Sequence, residues 1–161
     1  MNKAILQKDK SYTFTDYFEL NYSTEDIVAE FGYQYALTRL ALPRMSAAAT
    51  TDRLKDVFYK KLPHVSLTSE TARREMLVAP ILLEKGFTQL AVELIAMDHY
   101  LETGNTHLYG AVTVGDVWRF GVLMRQQKTI HKDIDSFRVP SDLDDLFKVF
   151  IGILSPVTSD Q

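Results

Sequence analysis

The most suggestive polar run in the chain is "HKDID", where His131, Asp133 and Asp135 alternate. In an extended strand alternate side chains share a face. That spacing gathers one imidazole and two carboxylates, a donor set that can hold a divalent ion. The simpler account is a solvent-facing row alternating with Ile130 and Ile134, the ordinary signature of a half-buried sheet. A second candidate is Glu75, which follows Arg73 and Arg74 in the first turns of a helix. It either points into a polar site or pairs with an arginine on the helix surface. Gln89 and Glu93 stand one helical turn apart, placed to line a cleft or to pair on an exposed face. The histidines, His64, His99, His107 and His131, are scattered, and none pairs with another at ligand spacing. There is no dinucleotide-binding glycine motif, no phosphate-binding lysine loop, no G-x-S-x-G and no H-E-x-x-H.

The bulk composition narrows the classes. The 161 residues are 46% hydrophobic and 24% charged, enough for one globular core. Cysteine is absent, which removes disulfides, thiolate metal sites and cysteine nucleophiles. The net charge is −3, whereas nucleic-acid binding rests on phosphate neutralisation by a basic face. The basic groups are local: Lys60-Lys61, Arg73-Arg74 and Arg119/Arg125. No run is long enough to span a bilayer, and "MNKAILQKDK" lacks a secretory core. A cytoplasmic protein is expected.

The elements that must position these residues are of mixed type. "SYTFTDYFELNYS" is aromatic and partly alternating, a strand or an N-terminal arm. In "STEDIVAEFGY" Ser23 caps a short helix, Glu25 and Asp26 suit its first turn, and Gly32 ends it. "YQYALTRLALP" reads as a strand closed by Pro43. Leu54, Val57, Phe58 and Leu62 form a helical stripe over 51–62, after a loop at 46–50. "TSETARREMLVAPILLE" reads as a helix stopped or kinked at Pro80. A break at Lys85-Gly86 separates it from "GFTQLAVELIAMDHYLETG", where Phe87, Leu90, Ala91, Leu94, Ile95 and Leu101 keep a 3.6-residue period. "LYGAVTV", "VWRFGVLMR" and "KTIHKDI" read as strands of an antiparallel meander. The last helix starts after a Ser141 cap, with Leu143, Leu146, Phe147, Phe150 and Leu154 inward. The expectation is one α+β domain over 1–161: an arm, helix and strand (1–45), a helical part (51–103), a three-stranded meander (106–139) and a closing helix (141–154). About five helices pack with the meander.

Taken together, "SYTFTDYFEL", "EDIVAEFGY", "LALPR", "SETARREMLVAPIL", "KGFTQLAVELIAMD", "LYGAVTVGDVWRFGVL" and "FRVPSDLDDLFKVFIGIL" resemble a family of cyanobacterial proteins of unassigned role. That family looks like the PD-(D/E)XK, restriction-endonuclease-like, nucleases. The resemblance runs from about Ser11 to Leu154 and implies a reduced restriction-endonuclease-like core. In such enzymes an Asp and a D/E-x-K triplet on neighbouring strands hold Mg²⁺ and place a lysine by the attacking water. By matching motifs, Glu75 is the acid of the preceding helix and Gln89 the glutamine of the following one.

Relatives place strands bearing the Asp and a Glu-Ala-Lys triplet between "ARRE…AP" and "GFTQLAVELIA". Here "APIL" runs straight into "LEKGFTQ", and no lysine in the chain has an acid two places before it. The resemblance therefore implies a catalytically inactive relative without a cofactor, acting as a binding or assembly module. Either Pro80 or Gly86 makes a turn or the helices run on with a kink. A single long bent helix would expose the apolar face left by the lost strands, which implies a homodimer, with or without exchanged elements. The alternative is an active Mg²⁺-dependent nuclease with its acids rebuilt elsewhere, such as Asp116, Asp133 or Asp135, or supplied by a second subunit.

Overall fold

The fold is that of a computed structural model, which describes residues 5–6, 9–45, 69–101 and 104–155, with backbone alone for 18 and 69–81. It is mixed α+β. Four helices and five strands occur among the described residues: α1 (Phe14–Glu19), α2 (Thr24–Glu30), β1 (Gln34–Thr38), α3 (Ser69–Tyr100), β2 (His107–Val114), β3 (Val117–Met124), β4 (Thr129–Asp133), β5 (Phe137–Arg138) and α4 (Leu143–Leu154). The expected loop at 46–50 and helix over 51–62 lie outside the described residues.

β2, β3 and β4 follow one another antiparallel, but they form part of a five-stranded sheet ordered β1-β4-β3-β2. β1 adds parallel to β4, and β5 pairs with β3. Gly115 closes the β2–β3 turn with φ +62°, a left-handed conformation that costs glycine nothing.

Two layers cover the sheet. On one face Phe87, Ala91, Leu94 and Ile95 of α3 pack with Leu108, Leu123 and Ile130, beside Val28 of α2. On the other, Leu146 and Val149 of α4 pack with Phe120 and Phe137. α3 lies close over β2 and β3 because glycines make room: a Cβ on Gly110 would stand 2.5 Å from Leu90 Cδ1, and one on Gly121 2.8 Å from the Phe87 ring.

Local chemistry explains where the sequence expectations hold and where they fail. α2 has the expected ends: Asp26 N–H donates to Ser23 Oγ at 3.1 Å, and Gly32 follows with φ +78°. The segment before it is a helix rather than a strand or arm. Thr13 and Asp16 form a capping box in which Thr13 N–H donates to Asp16 Oδ2 at 2.6 Å. These bonds hold the Asp16 carboxyl below its ordinary value.

Of the two arrangements expected at Lys85-Gly86, a turn or a run-on, the helix runs on: α3 is one helix of 32 residues. Gly86 turns no corner; its missing Cβ would meet Val112 Cγ1 at 2.8 Å, so it is a contact point with β2. In α4, Ser141 does not cap. Asp142 precedes the helix without a side-chain cap bond, and its Oδ2 accepts Arg138 N–H at 2.7 Å. Val149 is buried, whereas Leu154, expected inward, is exposed. No helix among the described residues is long and apolar enough to cross a membrane.

Candidate functional site

β4 carries a lysine into the interior. Lys132 stands in register between Leu37 on β1 and Gly121 on β3, on the sheet face that meets α3. The space above Gly121 is filled by Phe87, and the Lys132 ammonium sits 5.1 Å from that ring's centroid. The Lys132 side chain is only 3% exposed. A bare ammonium is costly in such surroundings, and its Nζ donates to both carboxylate oxygens of Glu84, each at 2.5 Å. Burial lowers the Lys132 pKa, and the Glu84 bonds work against that shift.

The pair is lopsided, because Glu84 is 58% exposed at the surface of α3. Arg119 Nη1 reaches the same carboxylate at 3.5 Å, and Arg119 Nε is buried without a hydrogen bond. Two cations thus share one carboxylate. Beside them a cleft of about 360 Å³ opens between α2, β1 and α3, lined among others by Tyr22, Glu25, Tyr35, Glu84 and Lys85. Its floor is tied by a buried 2.8 Å bond between the Thr24 and Thr88 hydroxyls. Tyr35 packs edge-on to Phe87, and burial with the nearby Glu84 pushes its phenol up to about 12. It is therefore a neutral phenol at physiological pH. Lys85 is spent on Leu20 C=O and Asn21 Oδ1. The site offers fixed charges and hydroxyls for holding a polar group.

A second charged cluster closes the far end of α3. Arg125 Nε contacts Asp98 Oδ1 at 2.5 Å, and Tyr33 donates its hydroxyl to Asp98 Oδ2 at 2.7 Å. The same guanidinium donates to Leu101 C=O at 2.9 Å and to Asn105 C=O at 3.0 Å, tying the helix end to the loop that follows it. Burial pushes the Asp98 carboxyl up, but the Arg125 and Tyr33 bonds outweigh it and hold it low. The Tyr33 phenol rises to about 12, through burial and its bond to Asp98. This cluster is a clamp on the fold.

The residues singled out in the sequence do not converge. Glu75 and Gln89 share one helix, fourteen residues and therefore about 21 Å apart along its axis. The Glu75 side chain lies outside the description. Gln89 donates to Glu93 Oε1 at 2.8 Å. His131 is half-buried in a cleft of about 310 Å³ with Arg39 and Tyr109. Asp133 is buried, where its Oδ1 accepts the N–H groups of Leu40 and Asp135 at 3.3 and 3.1 Å. Asp135 pairs with Arg39 at 2.9 Å in solvent. These carboxylates brace the chain as it leaves β4 and β1. Among the described residues no three His, Asp or Glu side chains gather as metal ligands.

Sequence reasoning missed Lys132 and Glu84. One signal was present: Lys132 occupies the apolar register of β4, between Ile130 and Ile134. No family model, curated protein or solved structure matches the chain.

Proposed function

We propose that this protein is a PD-(D/E)XK-like scaffold that has lost its catalytic strands and serves as a homodimeric binding and assembly module in the cytoplasm. One observation carries the reading: α3 runs unbroken from Ser69 to Tyr100. Active relatives need an Asp strand and a D/E-x-K strand inside that interval, and an unbroken helix leaves no chain for either. In this reading β2–β4 is the remnant of the nuclease sheet. Lys132, the one lysine buried among the described residues, is engaged by Glu84 and offers no free base for water activation.

The convergence of Glu84 and Lys132 favours a second reading, an active Mg²⁺-dependent nuclease with a rebuilt or intersubunit site. One assay separates the two. The purified chain is incubated with single- and double-stranded DNA and RNA in Mg²⁺ or Mn²⁺, beside Glu75→Ala and Glu84→Gln variants. The module reading expects no cleavage by any of the three. Cleavage by the wild type that either variant abolishes would establish the nuclease.

A further inference from the structure

The sheet ends on two strands that carry no charge. β1 (QYALT) and β2 (HLYGAVTV) contain neither a charged residue nor a proline. The strands β3, β4 and β5 each carry at least one charged residue. Soluble proteins usually do the reverse and guard their edges with lysine, proline or a bulge.

β2 is the longer edge and pairs with β3 along its whole length, without a bulge. Arg125 N–H donates to Thr106 C=O at 3.0 Å, one step beyond the His107–Met124 pair. Alternation along an antiparallel ladder then turns the backbone groups of Leu108, Gly110, Val112 and Val114 toward β3. The N–H and C=O groups of His107, Tyr109, Ala111 and Thr113 face outward. Among the described residues no further strand pairs with β2.

We propose that β2 is the dimer interface: two copies of this chain join antiparallel, edge to edge, across a two-fold axis at Gly110, so that two five-stranded sheets become one. The inference rests on the reading of the protein as a self-associating module. An uncharged edge, paired with itself, suits a second copy as the occupant. The two-fold sets His107 opposite Thr113, Leu108 opposite Val112 and Tyr109 opposite Ala111, so no like charges meet. It closes as a dimer, whereas a β2-to-β1 joint would run on as a filament. β1 is the poorer edge, with five residues ending beside the exposed Arg39–Asp135 ion pair.

The test uses the full chain. Sedimentation velocity compares wild type, Thr113→Pro and Thr113→Lys, with circular dichroism to follow folding. Thr113 is exposed and its N–H faces outward, so proline there removes an intermolecular donor and spares the β2–β3 ladder. A lysine there places a charge on the edge of each copy. The wild type is expected to be a dimer, and both variants to dissociate at least tenfold more readily with unchanged helix and strand content. In the wild type alone, the amides of Tyr109, Ala111 and Thr113 are expected to exchange more slowly at high protein concentration than at low. This measurement decides the matter if the proline variant fails to fold. A wild-type dimer that the lysine variant leaves intact, with concentration-independent exchange, overturns the β2 interface and keeps the assembly reading. A wild-type monomer overturns both.

Discussion

The middle of α3 and its C-terminal end meet the sheet through charged clusters of opposite character. At the C-terminal end Asp98 is 13% exposed and Arg125 18%, and both Asp98 oxygens are bonded. At the middle of the helix a lysine 3% exposed leans on a glutamate 58% exposed, and a neighbouring arginine keeps an unpaired Nε. The first arrangement fastens the helix. The second holds charge in place with little redundancy, beside an open cleft. Strength therefore sits where the helix ends, and unspent polarity where the cleft opens.

The sharpest way to break this contrast is Asp98→Ala. It strips the Arg125 guanidinium and the Tyr33 hydroxyl of their shared partner, and losing one side of a buried ion pair costs about 3–4 kcal/mol. Urea unfolding should show a loss of unfolding free energy of that size. The clamp also has a pH signature. The folded Asp98 pKa lies below 3.8, so its contribution is complete above that value and fades as pH falls through the folded pKa. Asp98→Asn should erase that part of the acid loss.

A smaller effect is expected for Glu84→Ala, about 2 kcal/mol, because the carboxylate removed is half in water while the cation left behind is buried. Lys132 then loses the only group that raises its pKa against burial. The variant's deficit should be full near neutral pH and shrink as pH rises through the folded Lys132 pKa toward 10.5, read from unfolding curves across pH.

The smallest shift is expected for Lys132→Met. It replaces the buried charge with an apolar chain of similar length and returns Glu84 to solvent, so stability should stay within about 1 kcal/mol of wild type or rise. A loss as large as that of Asp98→Ala would mean that Lys132 is a clamp like Arg125, and the contrast would dissolve.

The sequence disclosed whatever local chemistry decides. Ser23 and Gly32 marked the ends of α2, and Gly115-Asp116 marked the β2–β3 turn. Thr13 and Asp16 carried an equally local cap, but the aromatic alternation around them pointed to a strand. Pro80 and Gly86 gave a break that tertiary structure overrides. A helical glycine costs about 1 kcal/mol, which is offset here by the close contact of α3 with Val112. Lys132 and Glu84 are 48 residues apart, and nothing in their spacing announces that they meet. Only the packing of α3 on the sheet beside Lys132 does so, through the room left by Gly121.

The parallel pairing of β1 with β4 has a kinetic consequence. Gln34 meets Thr129 in register, so this joint closes a loop of almost the whole sheet-forming chain. The hairpins β2–β3 and β3–β4 join near neighbours and meet little loop-closure entropy, whereas β1 must wait for a distant partner. During synthesis β1 emerges early and cannot complete its pairing until β4 has followed it out. Among the strands, β1 is expected to pair last.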